Sequence, residues 1–269
     1  MGLFDRFRGL FGGAPVAPDS PAHTPEPTPN PALETSQARR DAFWSEVGMV
    51  ERDVLGHLIS PGLLGGPAWP TTRQAYRVVR RSGGAILIAT DGMSDPFDGA
   101  EEVPPVNGFE CELFIEVTDL PIEHAGTPGE IEPVKHSWAF ELLTHVAGMI
   151  AKAGGAKQQF DHYGVLSMEL PGVSRSDAIA AVLPPRFVTA DDALGILIGG
   201  PAPDFPDRIA DMPLSPVRLL PIVILTAAEL AEIRAGDEDT REALAGQLGR
   251  TMSGHRCDFV RASIVEEAD

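Results

Sequence analysis

Two strand-like segments that bracket an acidic loop constrain the fold of this chain more than any other feature. The first, Ala85–Ala89, is continuously apolar, and the second, Phe109–Val117, alternates apolar residues with mostly acidic ones. A period of two with one polar face is typical of an antiparallel strand that has one face in the core and one in water. Asp91-Gly92 follows the first strand and predicts an abrupt turn. The sequence therefore predicts two sheet strands joined by a loop, with the acidic residues facing solvent.

The acidic residues are concentrated in one window of the chain. Thirteen acidic residues and a single basic residue, Lys135, lie between Asp91 and Glu141. This window holds most of the formal net charge of −18. Nucleic acid is excluded as a partner, because phosphate contacts need clustered Lys and Arg. An acidic surface accelerates encounter with basic proteins instead, so we predict a basic protein partner.

The loop after the first strand is the predicted docking surface. Phe97 is expected to be its exposed anchor, because a few aromatic side chains supply most of the affinity of an interface. Phe109 is assigned to the core. A calcium hand needs alternate oxygen ligands and a Glu at the twelfth position, a pattern that this loop lacks, so no metal and no cofactor are expected. The predicted partner-binding residues are Asp91, Asp95, Phe97, Asp98, Glu101 and Glu102.

Signatures of catalysis are missing from the sequence. It contains no Gly-rich phosphate loop, dinucleotide fingerprint, His-Glu-x-x-His or Gly-x-Ser-x-Gly motif. Cys111 and Cys257 lie inside apparent strands, which favours buried thiols over a metal or redox pair. No catalytic residue is predicted. The alternative left open is a hydrolase with carboxylates in a cleft between the two halves of the chain, for which Asp161 and His162 are the pair to test.

Residues 1–33 are predicted to be an amphipathic start followed by a flexible, Pro-rich linker. The start predicts a weak membrane or partner-docking helix, and the alternatives left open are a frayed terminus or a segment docked on the protein's own core. A membrane-tethered adaptor is the third function considered. No apolar run is long enough to span a membrane, and no secretory signal is seen. The expected location is cytoplasmic, with a possible peripheral contact at the membrane. The residues that form the apolar face are Leu3, Phe4, Phe7, Leu10 and Phe11.

The rest of the chain mixes helical and strand patterns. A helical pattern spans 34–59, and a second one, Ser137–Ala153, ends at a Gly pair. Short apolar runs at 164–170, 194–198, 217–225 and 258–265 predict strands, and Thr226–Glu229 fits a capping box at a helix start. The predicted fold is α+β (mixed α/β), with two packed lobes, mainly antiparallel sheets and flanking helices. The predicted domains are residues 1–33, 34–155 and 156–269.

Several short motifs occur in an order that resembles the Suppressor of fused (SUFU-like) domain family, bacterial branch. They are Trp69-Pro70, Ile88–Phe97, Asn107–Glu116 and the Trp-containing helix Ser137–Leu143, followed by Val217–Leu230 and Cys257–Ile264. The second half is similar to the family's Pro-interrupted strand that enters a helix, and to its closing strand. The resemblance covers roughly residues 40–266.

This resemblance implies a two-lobed α/β binding protein without catalysis. Animal relatives clamp a transcription-factor peptide by strand addition, and bacterial relatives are commonly linked to polymorphic toxin systems as immunity proteins. We therefore expect a non-enzymatic, protein-binding SUFU-like protein whose basic partner is a toxin or a regulatory peptide. An immunity protein of this kind would neutralise the toxin through its acidic surface.

Overall fold

The computed structural model describes residues 30–56, 61–97 and 105–266. Within these ranges the chain has an α+β fold, as the sequence predicts, with helices packed on a mixed and mainly antiparallel sheet. The amphipathic start and most of the linker lie outside the described residues. The expectations for Leu3, Phe4, Phe7, Leu10 and Phe11 therefore stay predictions.

The strands are mostly short. They are β1 (Met49–Val50), β2 (Leu55–Gly56), β3 (Ala75–Arg80), β4 (Ile86–Asp91), β5 (Cys111–Val117), β6 (Leu166–Pro171), β7 (Ala193–Ile198), β8 (Arg208–Ile209) and β9 (Val217–Leu225). The helices are α1 (Pro31–Val47), α2 (Ile122–Ala125), α3 (Trp138–Lys152), α4 (Lys157–Tyr163), α5 (Asp177–Ala180), α6 (Ala227–Ala235) and α7 (Glu238–Gly249).

All nine of these strands belong to one sheet. Its order is β1-β3-β4-β5-β9-β7-β6, with β2 also pairing with β3 and β8 with β9. Every strand pair is antiparallel except β5 with β9, which is parallel. The β5–β9 pair joins the two segments that the sequence divides at residue 155. The sheet therefore runs through both predicted lobes, and Pro31–Asp269 clusters as one compact unit.

Helix α3 covers one face of the sheet. Ser137 caps its start by accepting a hydrogen bond from the Phe140 N–H at 3.2 Å. The apolar residues of α3 recur at helical spacing, and Trp138, Leu142 and Val146 are at most 1% exposed in the main core cluster. Burying each such side chain stabilises the fold by about 1.5–3 kcal/mol. The predicted helix is confirmed, but Met149, which its spacing places on the apolar side, is 43% exposed.

Strand β5 lies in the middle of the sheet and is buried on both faces. Its alternation is confirmed, because Cys111, Leu113 and Ile115 pack in the core cluster beneath α3 while Phe114 packs in the cluster beneath α1. The predicted solvent-facing side is wrong. Glu112 is 0% exposed, because α1 covers that face of the sheet.

Some predicted boundaries also differ. The helical pattern at 34–59 ends at Val47, and the chain then enters β1 at Met49. The expected strand at 258–265 is irregular, with only an isolated bridge between Val117 and Cys257 beside it. Within this segment the buried Arg261 side chain donates to Oε2 of Glu229 at 2.6 Å. The capping box at Thr226 is confirmed.

Candidate functional site

Helix α1 buries one stripe of its surface against the sheet. Its buried side chains, Ser36, Arg40 and Trp44, are four residues apart and so lie on one face of the helix. Trp44 packs in the apolar layer between α1 and the sheet. The side chain of Arg40 is 0% exposed. A cation removed from water in this way needs acidic partners close by.

The turn after β4 surrounds the Arg40 guanidinium with oxygen atoms. Its Nε lies 3.0 Å from Oδ1 of Asp91 and 3.7 Å from Oε1 of Glu112. Nη1 donates to Oγ of Ser94 at 3.1 Å, and Nη2 donates to Oδ1 of Asp95. We call these four residues, Asp91, Ser94, Asp95 and Glu112, the arginine cradle. Its donors and acceptors match the planar fork of a guanidinium.

Two more arginines approach Asp91 from the side of β3. Arg73 Nη2 lies 2.5 Å and Arg77 Nε 2.8 Å from Oδ2 of Asp91. Arg77 also pairs with Asp41 on α1. Three arginines thus meet the three carboxylates of the cradle, and their formal charges cancel.

Strand β5 contributes Glu112, whose carboxylate organises the turn. Oε1 accepts from the Ser94 hydroxyl at 2.6 Å and from the backbone N–H groups of Ser94 and Gly92 at 3.0 and 3.2 Å. Oε2 accepts from the Thr90 hydroxyl at 2.5 Å. Gly92 has φ +143°, and a Cβ there would lie 2.8 Å from the Arg73 carbonyl oxygen. The turn therefore needs glycine at this position.

Asn107 ties the cradle to α1 and to the chain before β9. Its Nδ2 donates to the Ser36 hydroxyl at 2.6 Å and to the Ser94 carbonyl at 3.1 Å. Its Oδ1 accepts from the N–H groups of Leu214 and Ser215 at 2.9 and 3.0 Å. One buried amide thus satisfies polar groups from three separate segments, as buried polar groups require.

Burial and the arginines act in opposite directions on the cradle. Burial opposes ionisation of Asp91, yet a hydrogen bond from Arg73 and the charge of Arg40 hold its pKa well below its usual range. Burial raises the pKa of Asp95 and Glu112 despite Arg40. Burial also disfavours the Arg40 cation, but Glu112 and the two aspartates outweigh that effect and raise its pKa. Arg40 therefore stays charged, and what the cradle does chemically is bind a guanidinium.

These contacts correct the predicted docking surface. Asp91 and Asp95 were expected to be exposed, and both are 0% exposed because they bind Arg40. Phe97 is partly buried, and its ring meets that of Phe109 edge-on with centroids 5.9 Å apart. The assignment of Phe109 to the core is confirmed. The other predicted contacts, Asp98, Glu101 and Glu102, lie outside the described residues.

A second buried network surrounds Glu116 on β5. His255 Nε2 lies 3.0 Å from Oε2, while Arg256 Nε and Arg81 Nε lie 2.9 and 3.4 Å from Oε1. Burial opposes the charge of Glu116, but the hydrogen bonds from His255 and Arg256 bring its pKa down to about 2. The Cys257 N–H also donates to the Glu116 carbonyl at 2.8 Å. This network holds the C-terminal segment against the sheet.

Most of the arginines that form ion pairs do so with buried acids. Six carboxylates are buried in the described ranges, and seven arginines pair with them. The interior is therefore close to neutral, and the large negative excess of the chain lies on its other residues. The buried carboxylates are Glu51, Asp91, Asp95, Glu112, Glu116 and Glu229.

Asp161 and His162, the pair considered for hydrolysis, are both exposed. Asp161 forms ion pairs with Lys157 at 2.5 Å and Arg218 at 2.6 Å. The hydrogen bond from Lys157 lowers its pKa, whereas a general acid needs a raised one. His162 instead packs its ring edge-on against Tyr163, with centroids 4.4 Å apart. The arrangement does not provide an acid–base pair at this position.

The two cysteines, possible metal ligands and possible membrane-spanning helices were the other features to locate. Cys111 and Cys257 are buried free thiols, as predicted, and burial raises the pKa of Cys257 to about 12. In the ranges that the structure describes, no group of three or more His, Cys, Asp and Glu side chains is arranged to hold a metal ion. None of the described helices has both the length and the apolar character needed to cross a membrane.

Neither a protein-family model nor a curated protein matches this sequence.

Proposed function

We propose that this protein binds another protein and performs no chemistry of its own, and that its partner is basic. The observation that carries the proposal is the location of the unneutralised charge. Buried acids are matched by arginines, whereas exposed acids on α6 and α7 are not. A negative field on the outside of a protein steers basic partners and repels acidic ones.

The acidic surface of α6 and α7 is built from side chains without counter-ions. Glu232, Glu238, Asp239 and Glu242 are exposed, and within the described structure none of them forms an ion pair. Two arginines lie close by without pairing with them. Arg234 is engaged by Glu169 at 2.6 Å and Asp191 at 3.0 Å, and the guanidinium of Arg241 on α7 lies over the Tyr163 ring, 5.4 Å from its centroid. We call Glu232, Glu238, Asp239 and Glu242 the α6–α7 acidic surface.

This surface takes the place of Asp91 and Asp95 in the docking hypothesis. The proposed role of Asp98, Glu101 and Glu102 in docking is retained as a separate part of the hypothesis. The resemblance to SUFU-like proteins supports a binding function, and it makes neutralisation of a basic toxin the specific form that we propose.

The experiment starts with capture of a partner by the full-length protein, followed by binding measurements with the two purified proteins. Affinity should fall at least tenfold between about 50 and 200 mM salt if several charges take part. The triple variant Glu232→Lys, Glu238→Lys and Glu242→Lys should weaken binding by a similar factor. A parallel triple reversal at Asp98, Glu101 and Glu102 tests the other segment.

The matched control reverses three exposed acids that already have counter-ions, namely Glu132, Asp161 and Asp207. It imposes the same change of net charge at sites whose field is already cancelled. Urea unfolding of each variant verifies the fold. Binding that is indifferent to salt and to both experimental triples would refute the proposal.

A further inference from the structure

A groove lies between α7 and the chain that follows β7. Helix α7 contributes Glu242, Ala245 and Gly246 to its lining, and the segment from Gly199 to Arg208 contributes most of the other lining residues. The volume of the groove is about 440 Å³. Sites that bind ligands usually have volumes of about 300–1,000 Å³, so the groove is large enough to take a bulky side chain of another protein.

The inside of the groove is apolar. Leu219 and Leu220 of β9 line it together with Phe205, which is half-buried and packs against the core cluster beneath α1. Gly246 lines it from α7 without projecting a side chain into the space. Aromatic rings bury a large apolar area at a low cost in side-chain entropy, and they are the anchors that such pockets most often receive.

The charged side chains that line the groove are paired, except for Glu242. Arg208 is bound by Asp207 at 2.6 Å, and Arg218 is bound by Asp161 at 2.6 Å. Glu242 is exposed and has no ion pair within the described structure. It also belongs to the α6–α7 acidic surface, so the groove is continuous with that surface. A side chain that enters the groove therefore fits best when a cation lies next to it.

We propose that this groove receives an aromatic side chain of the basic partner, and that a lysine or arginine next to that side chain pairs with Glu242. The proposal rests on the proposed function and names the residues that such a partner presents. Exposed charges mainly raise the rate of association, whereas a few buried anchors supply most of the affinity. The α6–α7 acidic surface thus attracts the partner, and the groove holds it.

The first test uses the full-length protein and three capped dipeptides as probes. In the first probe a phenylalanine precedes an arginine, in the second a phenylalanine precedes a glutamate, and in the third an alanine precedes an arginine. Chemical shifts of the Gly199, Gly200 and Gly246 amides report whether the groove is occupied. The first probe should bind at least threefold more tightly than either of the others. Equal affinities, binding of none, or shift changes confined to other parts of the chain overturn the proposal.

Substitutions at Gly246 fill the groove without altering its charge. A Cβ at this position would meet only Nη1 of Arg250, at 3.6 Å, and leucine is a better helix former than glycine, so Gly246→Leu should keep the fold. It should weaken binding of the first probe at least tenfold, whereas Gly246→Ala adds a single methyl group and should bind it nearly as well as the unaltered protein. The matched control, Ala243→Leu, adds the same side chain at an exposed position of α7 outside the groove. Equal binding by Gly246→Leu and Ala243→Leu overturns the proposal.

A purified basic partner separates this proposal from the proposed function. Gly246→Leu should weaken its binding at least tenfold at constant salt. If this variant binds the partner unchanged while charge reversal of the α6–α7 acidic surface still weakens binding, the groove proposal is overturned and the proposed function stands. If the first probe occupies the groove but no basic partner shows salt-dependent binding, the proposed function fails and the groove remains a site for an aromatic side chain beside a cation.

Discussion

Replacing Arg40 with Met isolates the energetic role of the cradle. Met has an unbranched apolar chain of similar reach, so it keeps much of the packing and removes the charge. The variant loses the contacts to Asp91, Ser94 and Asp95 and leaves Glu112 facing no cation. Removing one partner of a buried ion pair costs about 3–5 kcal/mol. Since the free energy of unfolding of a domain is about 5–15 kcal/mol, we expect the variant to lose about a fifth or more of its stability.

Urea unfolding followed by tryptophan fluorescence measures this loss. Trp44, Trp69 and Trp138 are all buried and report on both faces of the sheet. With a slope of about 2–3 kcal/mol/M, the urea midpoint should fall by about 1–2.5 M. Arg39→Met is the control on the same helix. Its pair with Asp211 is 50% and 62% exposed at the two side chains, so it should cost less than about 1 kcal/mol.

The loss should also depend on pH in a defined direction. Burial raises the pKa of Asp95 and Glu112, and removal of Arg40 raises both further. Carboxyl groups whose folded pKa exceeds the unfolded one destabilise the fold as pH rises through that interval. The difference in unfolding free energy between the original protein and Arg40→Met should therefore narrow as pH falls below neutrality. The prediction would be refuted if Arg40→Met lost no more unfolding free energy than Arg39→Met does. It would also be refuted if the loss caused by Arg40→Met grew at low pH.

Two further substitutions test other parts of the structure. Gly108→Ala should be strongly destabilising, because a Cβ would lie 2.5 Å from the Met93 carbonyl oxygen and 2.6 Å from that of Asp95. The control is Gly83→Ala, where φ is also positive but the space is open, so that substitution should cost only about 1 kcal/mol. Equal urea-unfolding midpoints for the two variants would contradict this prediction. Glu116→Gln should destabilise at neutral pH, because the folded pKa of about 2 lies below the usual value of 4.5 and the ionised group then favours folding. The stability contributed by ionised Glu116 is lost as pH falls from 4.5 toward 2. If the urea midpoints of the original protein and Glu116→Gln stay equally far apart over this range, the Glu116 network does not stabilise the fold in this way.

The sequence carried enough information for the outline of the fold. Period-two alternation located β5, and the apolar face of residues 138–150 located α3, because both patterns depend on local geometry alone. The capping box at Thr226 is equally local. The prediction that failed is that the acidic side chains of this region face solvent. Alternation shows that Glu112 and Glu116 share a face of the sheet, but not what covers that face.

The candidate site could not be predicted from the sequence either, because its members are far apart along the chain. Arg40 lies 51 residues before Asp91, and His255 lies 139 residues after Glu116. Nothing in the local pattern links these positions. One signal was available in retrospect: an arginine four residues before a tryptophan, on a helix with few apolar residues, predicts a buried cation that needs acids elsewhere. Asp91 and Asp95 supply this counter-charge, so they do not form an exposed surface for a partner.

The parallel pairing of β5 with β9 sets a constraint on biosynthesis. Cys111 pairs with Arg218 across the sheet, so about a hundred residues must leave the ribosome before the middle of the sheet can close. Before β9 is synthesised, the growing chain exposes the apolar strand β5 with an unpaired edge. Glu116 also lacks its ion-pair partner Arg256, which is synthesised 140 residues later. Translation intermediates that end near residue 155 should therefore be protease-sensitive clients of chaperones, because they lack the strand that pairs with β5.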